Sequence, residues 1–349
     1  MTSRISPTTW TALLTLLLLA TPAGSSSAGS PRETWTSVLH DRVSALDDAS
    51  TGNLGVYALR LSDGTEMSYD ADRSWYLSST TKVPVAIAVL QKVEAGQLRL
   101  EQELTLQTSD YVDGAGSLLW AEPGTRYSLQ DLVEKMLRHS DSTATDMLIR
   151  LVGEDELNAR VASMVPGGFG PITTLLQVRY DVYSEIVDDV ETLSNMDIVR
   201  IQGAGGRAER WAALLATLGA APDDLKAPNL ETAFERYYAR GINGGTLEAF
   251  GTLLQRLVEG DLLSPAHTAL LLGYMEDITT GDHRIRAGLS PDVRFAQKTG
   301  TQIGRACNVG VLPEYGFVVT ACVEKYDSQK EAESVLRGVG EALMSTIED

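Results

Sequence analysis

Residues 75–91 read WYLSSTTKVPVAIAVLQ. From Val83 to Leu90 every side chain is apolar. A helix that is apolar on every face is a buried helix, so this segment is expected to run through the middle of the protein with the other elements packed around it. Ser79 and Lys82 stand at its mouth, three residues apart and therefore on one face of a helical turn. Pro84 lies about one turn in, where it removes an N–H and is expected to bend the helix start.

A serine hydroxyl is a weak nucleophile until a neighbouring base takes its proton. Lysine, with an ordinary pKa of about 10.4, must fall by roughly 3 units to be that base near neutrality, at a cost of about 4 kcal/mol. Burial against an apolar helix pushes it down, and a second cation nearby pushes further. A helix N-terminus also favours negative charge developing on Ser79. Taken alone, Ser-x-x-Lys is better explained by a capping serine and a lysine reaching to water; the rest of the chain changes that balance.

The chain has 349 residues and a formal net charge of −18. That length suits one large domain or two packed lobes, and the acidity argues against nucleic acid or an anionic membrane as partner. Arg4, the apolar run Trp10–Ala20 and the small residues after it read as a secretory signal peptide over residues 1–28, cut after Ala23 or Ala28. An uncleaved anchor is the alternative, although the run is short for a spanning helix. Periplasmic or secreted localisation follows. Two cysteines and four histidines form no metal-binding pattern, and no cofactor is expected.

Strand signals come from both ends of the chain and helix signals from its middle. A helix over Pro31–Asp48, capped by Ser30, precedes strands at Leu54–Leu61 and Thr65–Tyr69 joined by an Asp63-Gly64 turn. Helices follow at Ser128–Ser140, from Thr143, across most of residues 153–245, at Thr246–Glu259 and at Ser264–Glu276. Val293–Thr301, Arg305–Leu312 and Phe317–Glu324 read as three antiparallel strands before a last amphipathic helix, Ser328–Ile347. With Pro313–Gly316 as a hairpin loop, Cys307 faces Cys322; a disulfide and two buried thiols are both open readings. The expected fold is an α/β two-lobe architecture, an antiparallel sheet flanked by N- and C-terminal helices plus an inserted all-α lobe. Residues 29–78 and 290–349 would form the α/β lobe and 79–289 the all-α lobe, giving one catalytic unit over 31–349.

Two further motifs join Ser79 and Lys82. Ser140-Asp141-Ser142 falls in a helix-to-helix turn, and Lys298-Thr299-Gly300-Thr301 on a strand. Each is weak alone; in this order and these settings they are specific. Together with TTGDHRIRAGLSP (279–291), FAQKTGT (295–301) and EPGTRYSLQDLVEKMLRHSDSTATDML (122–148), they make the chain resemble class A β-lactamases, within the serine β-lactamase and penicillin-binding protein superfamily. The resemblance covers most of 31–150 and 244–349. It implies Ser79 as the acylated nucleophile, Lys82 as its base, Ser140 as the proton relay to the leaving nitrogen and Lys298 as a second positive charge. It also implies Thr299, Gly300, Arg284 and Ser142 around the substrate, with the backbone N–H groups of Ser79 and Thr301 as the oxyanion hole. The implied partner is a small β-lactam or a cell-wall peptide, and the chain is expected to act as a monomer.

The family's Glu-x-x-Leu-Asn loop, whose glutamate activates the deacylating water, has no counterpart in PITTLLQVRYDVYSEIVDDVETLSN (171–195), and the segment up to Thr246 is longer than the family norm. Asp181, Glu185 and Asp188 are the nearest acidic candidates. Ser142 replaces the usual asparagine of the second motif. Three readings follow: a β-lactam hydrolase with another water-activating group, a D-Ala-D-Ala peptidase or transpeptidase that β-lactams inhibit, and a sensor that stays acylated. No Gly-x-Ser-x-Gly elbow supports a Ser-His-Asp esterase.

Overall fold

The computed structural model describes residues 34–347. The expected signal peptide, Ser30 and Pro31 lie outside the described residues. Strands among them are β1 (Asn53–Arg60), β2 (Thr65–Tyr69), β3 (Ser74–Tyr76), β4 (Glu103–Thr105), β5 (Arg126–Ser128), β6 (Gly244–Thr246), β7 (Ala296–Gln302), β8 (Arg305–Leu312) and β9 (Phe317–Glu324). Helices are α1 (Trp35–Asp48), α2 (Lys82–Glu94), α3 (Leu129–Arg138), α4 (Ser142–Val152), α5 (Glu154–Met164), α6 (Leu175–Ser184), α7 (Asn195–Gly203), α8 (Arg207–Leu218), α9 (Leu230–Tyr238), α10 (Leu247–Val258), α11 (Pro265–Glu276), the single turn α12 (Ile285–Gly288) and α13 (Gln329–Ile347).

Five strands form one antiparallel sheet in the order β2-β1-β9-β8-β7, so the N-terminal hairpin zips onto the C-terminal strands through β1 and β9. Successive side chains of a strand point to opposite faces. Val56 and Ala58 accordingly join a core with α1 and α13, and Tyr57 and Leu59 join the core that holds α2, α3 and α10. With both faces covered, every residue of β8 and β9 is buried.

The apolar helix is placed as its composition demands. Lys82 to Leu90 of α2 are all buried, and fully burying a Val, Leu or Ile side chain is worth about 1.5–3 kcal/mol. Pro84 sits in the first turn of α2, where its missing N–H is one that a helix start leaves free anyway. A separate core lies over residues 175–238, built on Val178, Val182, Tyr183, Ile198, Leu214, Phe234 and Tyr237.

Several local expectations shift. α1 is capped by Thr34, whose hydroxyl accepts from Ser37 N, rather than by Ser30. The strand expected from Val293 begins at Ala296, because Val293 N bonds back to Ser290 O in a turn. Leu312 pairs with Phe317 and Cys307 with Cys322, as the hairpin arithmetic requires. Between the two open readings of the cysteines, the structure has the disulfide, with Cα atoms 4.1 Å apart, a spacing that fits the close, non-hydrogen-bonded pairs of an antiparallel ladder.

Candidate active site

Ser79 belongs to a 3₁₀ turn, Ser78–Thr81, which runs directly into α2. Thr80 Oγ1 donates to Leu77 O at 2.7 Å and Thr81 Oγ1 to Ser78 O at 2.9 Å, which fastens this turn. Ser78 holds φ +50°, an uncommon conformation for a residue with a side chain. One turn on, Lys82 Nζ lies 3.2 Å from Ser79 Oγ. It also donates to Ser140 O at 2.6 Å and to Ser140 Oγ at 3.0 Å.

Ser140, two residues past the end of α3, takes the left-handed conformation, φ +55°, and Asp141 after it caps the next helix. Asp141 Oδ1 accepts from Ala144 N at 2.9 Å and caps α4. Its Oδ2 accepts from Ser117 N at 2.7 Å and Leu118 N at 2.9 Å, tying down the loop that brings Gly114 and Ala115 to the cleft. Ser142, third in the motif, donates its N–H to Ala115 O at 2.9 Å and lines the same cleft.

β7 supplies the opposite wall. Lys298 is fully buried, and its Nζ donates to Ser140 Oγ at 3.1 Å and Thr299 O at 3.1 Å. The two lysines therefore meet on one serine hydroxyl. Gly300 lies against the Ser79 turn: a Cβ there would come within 2.6 Å of Leu77 O and 3.0 Å of Ser79 N. Only a residue without a side chain lets the strand approach that closely. Thr299 Oγ1 is 2.7 Å from Thr280 Oγ1.

Arg284, from the loop before α12, is buried rather than paired on the surface. Its Nη1 donates to Gly300 O and Cys307 O, both at 2.9 Å, and its Nη2 to Thr301 Oγ1 at 2.5 Å. The disulfide thus sits directly behind the strand that faces Ser79, since Cys307 pairs with Gly300.

Burial sets the charges. It pulls Lys82 down to about 8, against the opposing pull of Asp141 and Asp146. It holds Lys298 well below the usual lysine range, helped by the neighbouring Lys82 and Arg284. Asp146 is pushed up to about 6 by burial, although Leu175 N and Leu176 N donate to its carboxylate at 2.7 and 3.0 Å. Through those bonds Asp146 holds the start of α6 against the cleft. A lowered lysine three residues from a serine is a base within reach of a nucleophile.

The cleft has a volume of about 370 Å³. Ser79, Lys82, Ser140, Ser142, Thr299, Arg284 and Thr301 all line it, while Gly300 and Lys298 stand behind its wall. The profile of the β-lactamase enzyme family matches residues 38–347. The chain belongs to that family.

Among β-lactamases of known sequence, the chain is 27% identical over 275 residues to one from Mycobacterium tuberculosis, covering 78% of this chain and 72% of that protein. It is 24% identical over 268 residues to one from Proteus vulgaris, covering 75% and 69%. Among solved structures, an ancestral class A β-lactamase superposes with a TM-score of 0.67 at 24% identity, over 88% of this chain and 99% of that one. PBP-A superposes with a TM-score of 0.65 at 21% identity, over 91% and 98%. The fold is that of class A β-lactamases and their penicillin-binding relatives, and the protein is a β-lactamase-like serine hydrolase acting on amide bonds.

The acidic candidates for a β-lactamase deacylation base lie elsewhere. Asp181 accepts from Gln177 Nε2 and lies 3.5 Å from Arg240, Glu185 lies 3.9 Å from the same arginine, and Asp188 pairs with Lys226. None of the three lines the cleft. The wall that α6 and its neighbours present there is Ile149, Thr173, Leu175, Val178 and Arg179. Arg179 is spent on Asp113 in a buried bidentate pair, Nε to Oδ1 at 2.9 Å and Nη2 to Oδ2 at 2.5 Å. Asp113, Asp146, Asn243 and Glu333 were not singled out by sequence reasoning. An acid inside the buried face of α4 was the one available signal, at Asp146; the others lie in loops or on a helix whose placement the pattern does not reveal.

Proposed function

We propose that Ser79 opens the amide of a β-lactam and carries the acyl group as an ester. The observation that supports this most is the unbroken chain of contacts from Ser79 Oγ to Lys82 Nζ, Ser140 Oγ and Lys298 Nζ, at 3.2, 3.0 and 3.1 Å. In its neutral form Lys82 takes the Ser79 proton as Oγ bonds to the carbonyl carbon. The oxyanion that forms accepts from the N–H groups of Ser79 and Thr301, an arrangement that ordinarily supplies the largest electrostatic contribution in acyl transfer. When the carbon–nitrogen bond breaks, the electron pair stays on nitrogen, Ser140 gives it a proton and takes in return the one that Lys82 removed from Ser79, across their 3.0 Å contact. Ser140 Oγ accepts from both lysines, which frees its own proton for that transfer. Arg284, Thr299 and Thr301 receive the substrate carboxylate, and Ser142 contacts the acyl side chain.

A second reading is favoured by a particular observation. Beside Ser79 the α6 wall is largely apolar, and Asp181, Glu185 and Asp188 are engaged away from it. A long-lived acyl-enzyme then follows, as in a D-Ala-D-Ala peptidase of the penicillin-binding type or a non-hydrolysing sensor. A single-residue variant of PBP-A has been solved as an acyl-enzyme complex with penicillin G, so that neighbour accepts a β-lactam on the shared fold. Export through the N-terminal signal, with the monomer as the working unit, belongs to the same proposal; among the described residues no helix is long and apolar enough to cross a membrane.

The test is a time course with a chromogenic cephalosporin, with intact mass measured in parallel. Sustained turnover lost in Ser79→Ala supports hydrolysis. A stoichiometric burst with a persistent adduct on Ser79 supports the second reading. Neither burst nor adduct removes both.

A further inference from the structure

The cleft continues past Arg284 to the first turns of α13, where Gln329 and Glu333 line it together with Thr299 and Thr301. Among the described residues that line the cleft, Glu333 alone carries a carboxyl group. Gln329 Nε2 donates to its Oε1 at 2.9 Å, which holds the side chain toward Arg284; the distance from Oε1 to Arg284 Nη2 is 3.8 Å. The arginine's Nη1 and Nη2 are also committed to Gly300 O, Cys307 O and Thr301 Oγ1. A substrate carboxylate docked here therefore meets a guanidinium whose charge is partly answered by Glu333. A singly anionic group gains less at such a place than at a bare arginine. A group carrying both signs gains at both residues.

We propose that Glu333, held by Gln329, is a specificity-determining residue that receives a cationic group carried beside the substrate's carboxylate, so that the cleft favours zwitterionic over singly anionic substrates. The proposal rests on the acyl-transfer reading of Ser79 above. Two opposite charges about 4–5 Å apart attract enough, even at the dielectric constant of water, to change a rate ratio about fivefold, and more where the cleft excludes water.

The probes are two cephalosporins with the same thienylacetyl group that differ only at C3′, beside the ring carboxylate: one carries acetoxy, the other pyridinium. The second-order acylation rate constant of each is measured by intact mass and stopped flow, then divided by that compound's own hydroxide hydrolysis rate to remove intrinsic reactivity. The wild-type protein is expected to favour the pyridinium compound by about fivefold or more. Glu333→Gln is expected to bring the normalised ratio near one, with the change in the half-saturating concentration and not in the limiting acylation rate. Glu333→Lys is expected to invert it. Raising the salt concentration is expected to shrink the wild-type ratio and leave that of Glu333→Gln where it is. An unchanged ratio across the three proteins, each folded by circular dichroism and each labelled on Ser79, overturns this inference alone. Failure of both compounds to label wild-type Ser79 overturns the acyl-transfer reading and this inference with it.

Discussion

Gly300→Ala isolates the close approach on which the proposed oxyanion hole depends. Gly300 does not use a positive φ, so alanine meets no conformational obstacle and the effect is steric. The new Cβ would stand 2.6 Å from Leu77 O, 2.9 Å from Ser78 Cβ and 3.0 Å from Ser79 N. Two of those three atoms are backbone, and the turn that carries them is fastened by Thr80 and Thr81. Reaching an ordinary contact moves β7 and the turn apart by roughly 0.8 Å, an overpacking strain of about 1–3 kcal/mol. The same movement carries Thr301 N away from the oxyanion position, and losing one such donor costs about 10²–10³-fold in rate. The assay is the acylation rate constant, with urea unfolding alongside. Gly251→Ala is the control: its Cβ would meet the Tyr57 ring at 2.2 Å, in the core and outside the cleft. The expected pattern is lower stability in both variants and slow acylation only in Gly300→Ala. Acylation by Gly300→Ala within about threefold of wild type, far inside the loss expected for a missing donor, or an equal slowing in Gly251→Ala, refutes the reasoning.

Acylation should rise with pH with a midpoint near 8, because the neutral form of Lys82 is the competent one and burial brings that form within reach; a rate that stays flat across the neutral range, or one that rises only near the ordinary lysine value of about 10.4, contradicts this. Asp146 gives a stability signature of its own. Its folded carboxyl near 6 lies above the unfolded value of about 3.9, so its contribution is fully present below about pH 4 and lost as pH rises through 6, about 3 kcal/mol in all. Urea midpoints from about pH 4 to about pH 7 should therefore fall in wild type relative to Asp146→Asn, and parallel curves would dismiss the assignment. Arg179→Leu strands the Asp113 carboxylate in the interior and should cost about 3–5 kcal/mol. Adding Asp113→Ala should recover part of that loss, which a double-mutant cycle measures.

The chain's local grammar was legible because it depends on spacing. Eight apolar residues in a row require a buried helix, and a three-residue step places Lys82 against Ser79 wherever that helix goes. Hairpin arithmetic paired Cys307 with Cys322 across a four-residue loop. Helices from Ser128, Thr246 and Ser264 followed from apolar periodicity, and in the structure each of these residues caps its helix through a bond that closes within three residues. The ends of elements were less legible: Val293–Phe295 have strand-like side chains, but a turn bond to Ser290 outweighs that propensity.

What lies between distant segments was decided by the tertiary structure. Ser140 and Lys298 are 158 residues apart, and their 3.1 Å contact exists only because the sheet order β2-β1-β9-β8-β7 puts β7 at the edge facing the Ser79 turn. The same edge position buries Lys298, which lowers its pKa, and gives Arg284 the carbonyls of Gly300 and Cys307 to hold it as part of the cleft wall. α6 turns Asp181, and Glu185 just past its end, toward Arg240 and away from the cleft, and α13 brings Glu333 to Arg284. Residue type and spacing determine what a short segment can do, because those interactions close within one or two turns. Which segments meet, and how much water remains between them, depends on long-range packing that leaves no periodic mark in the sequence.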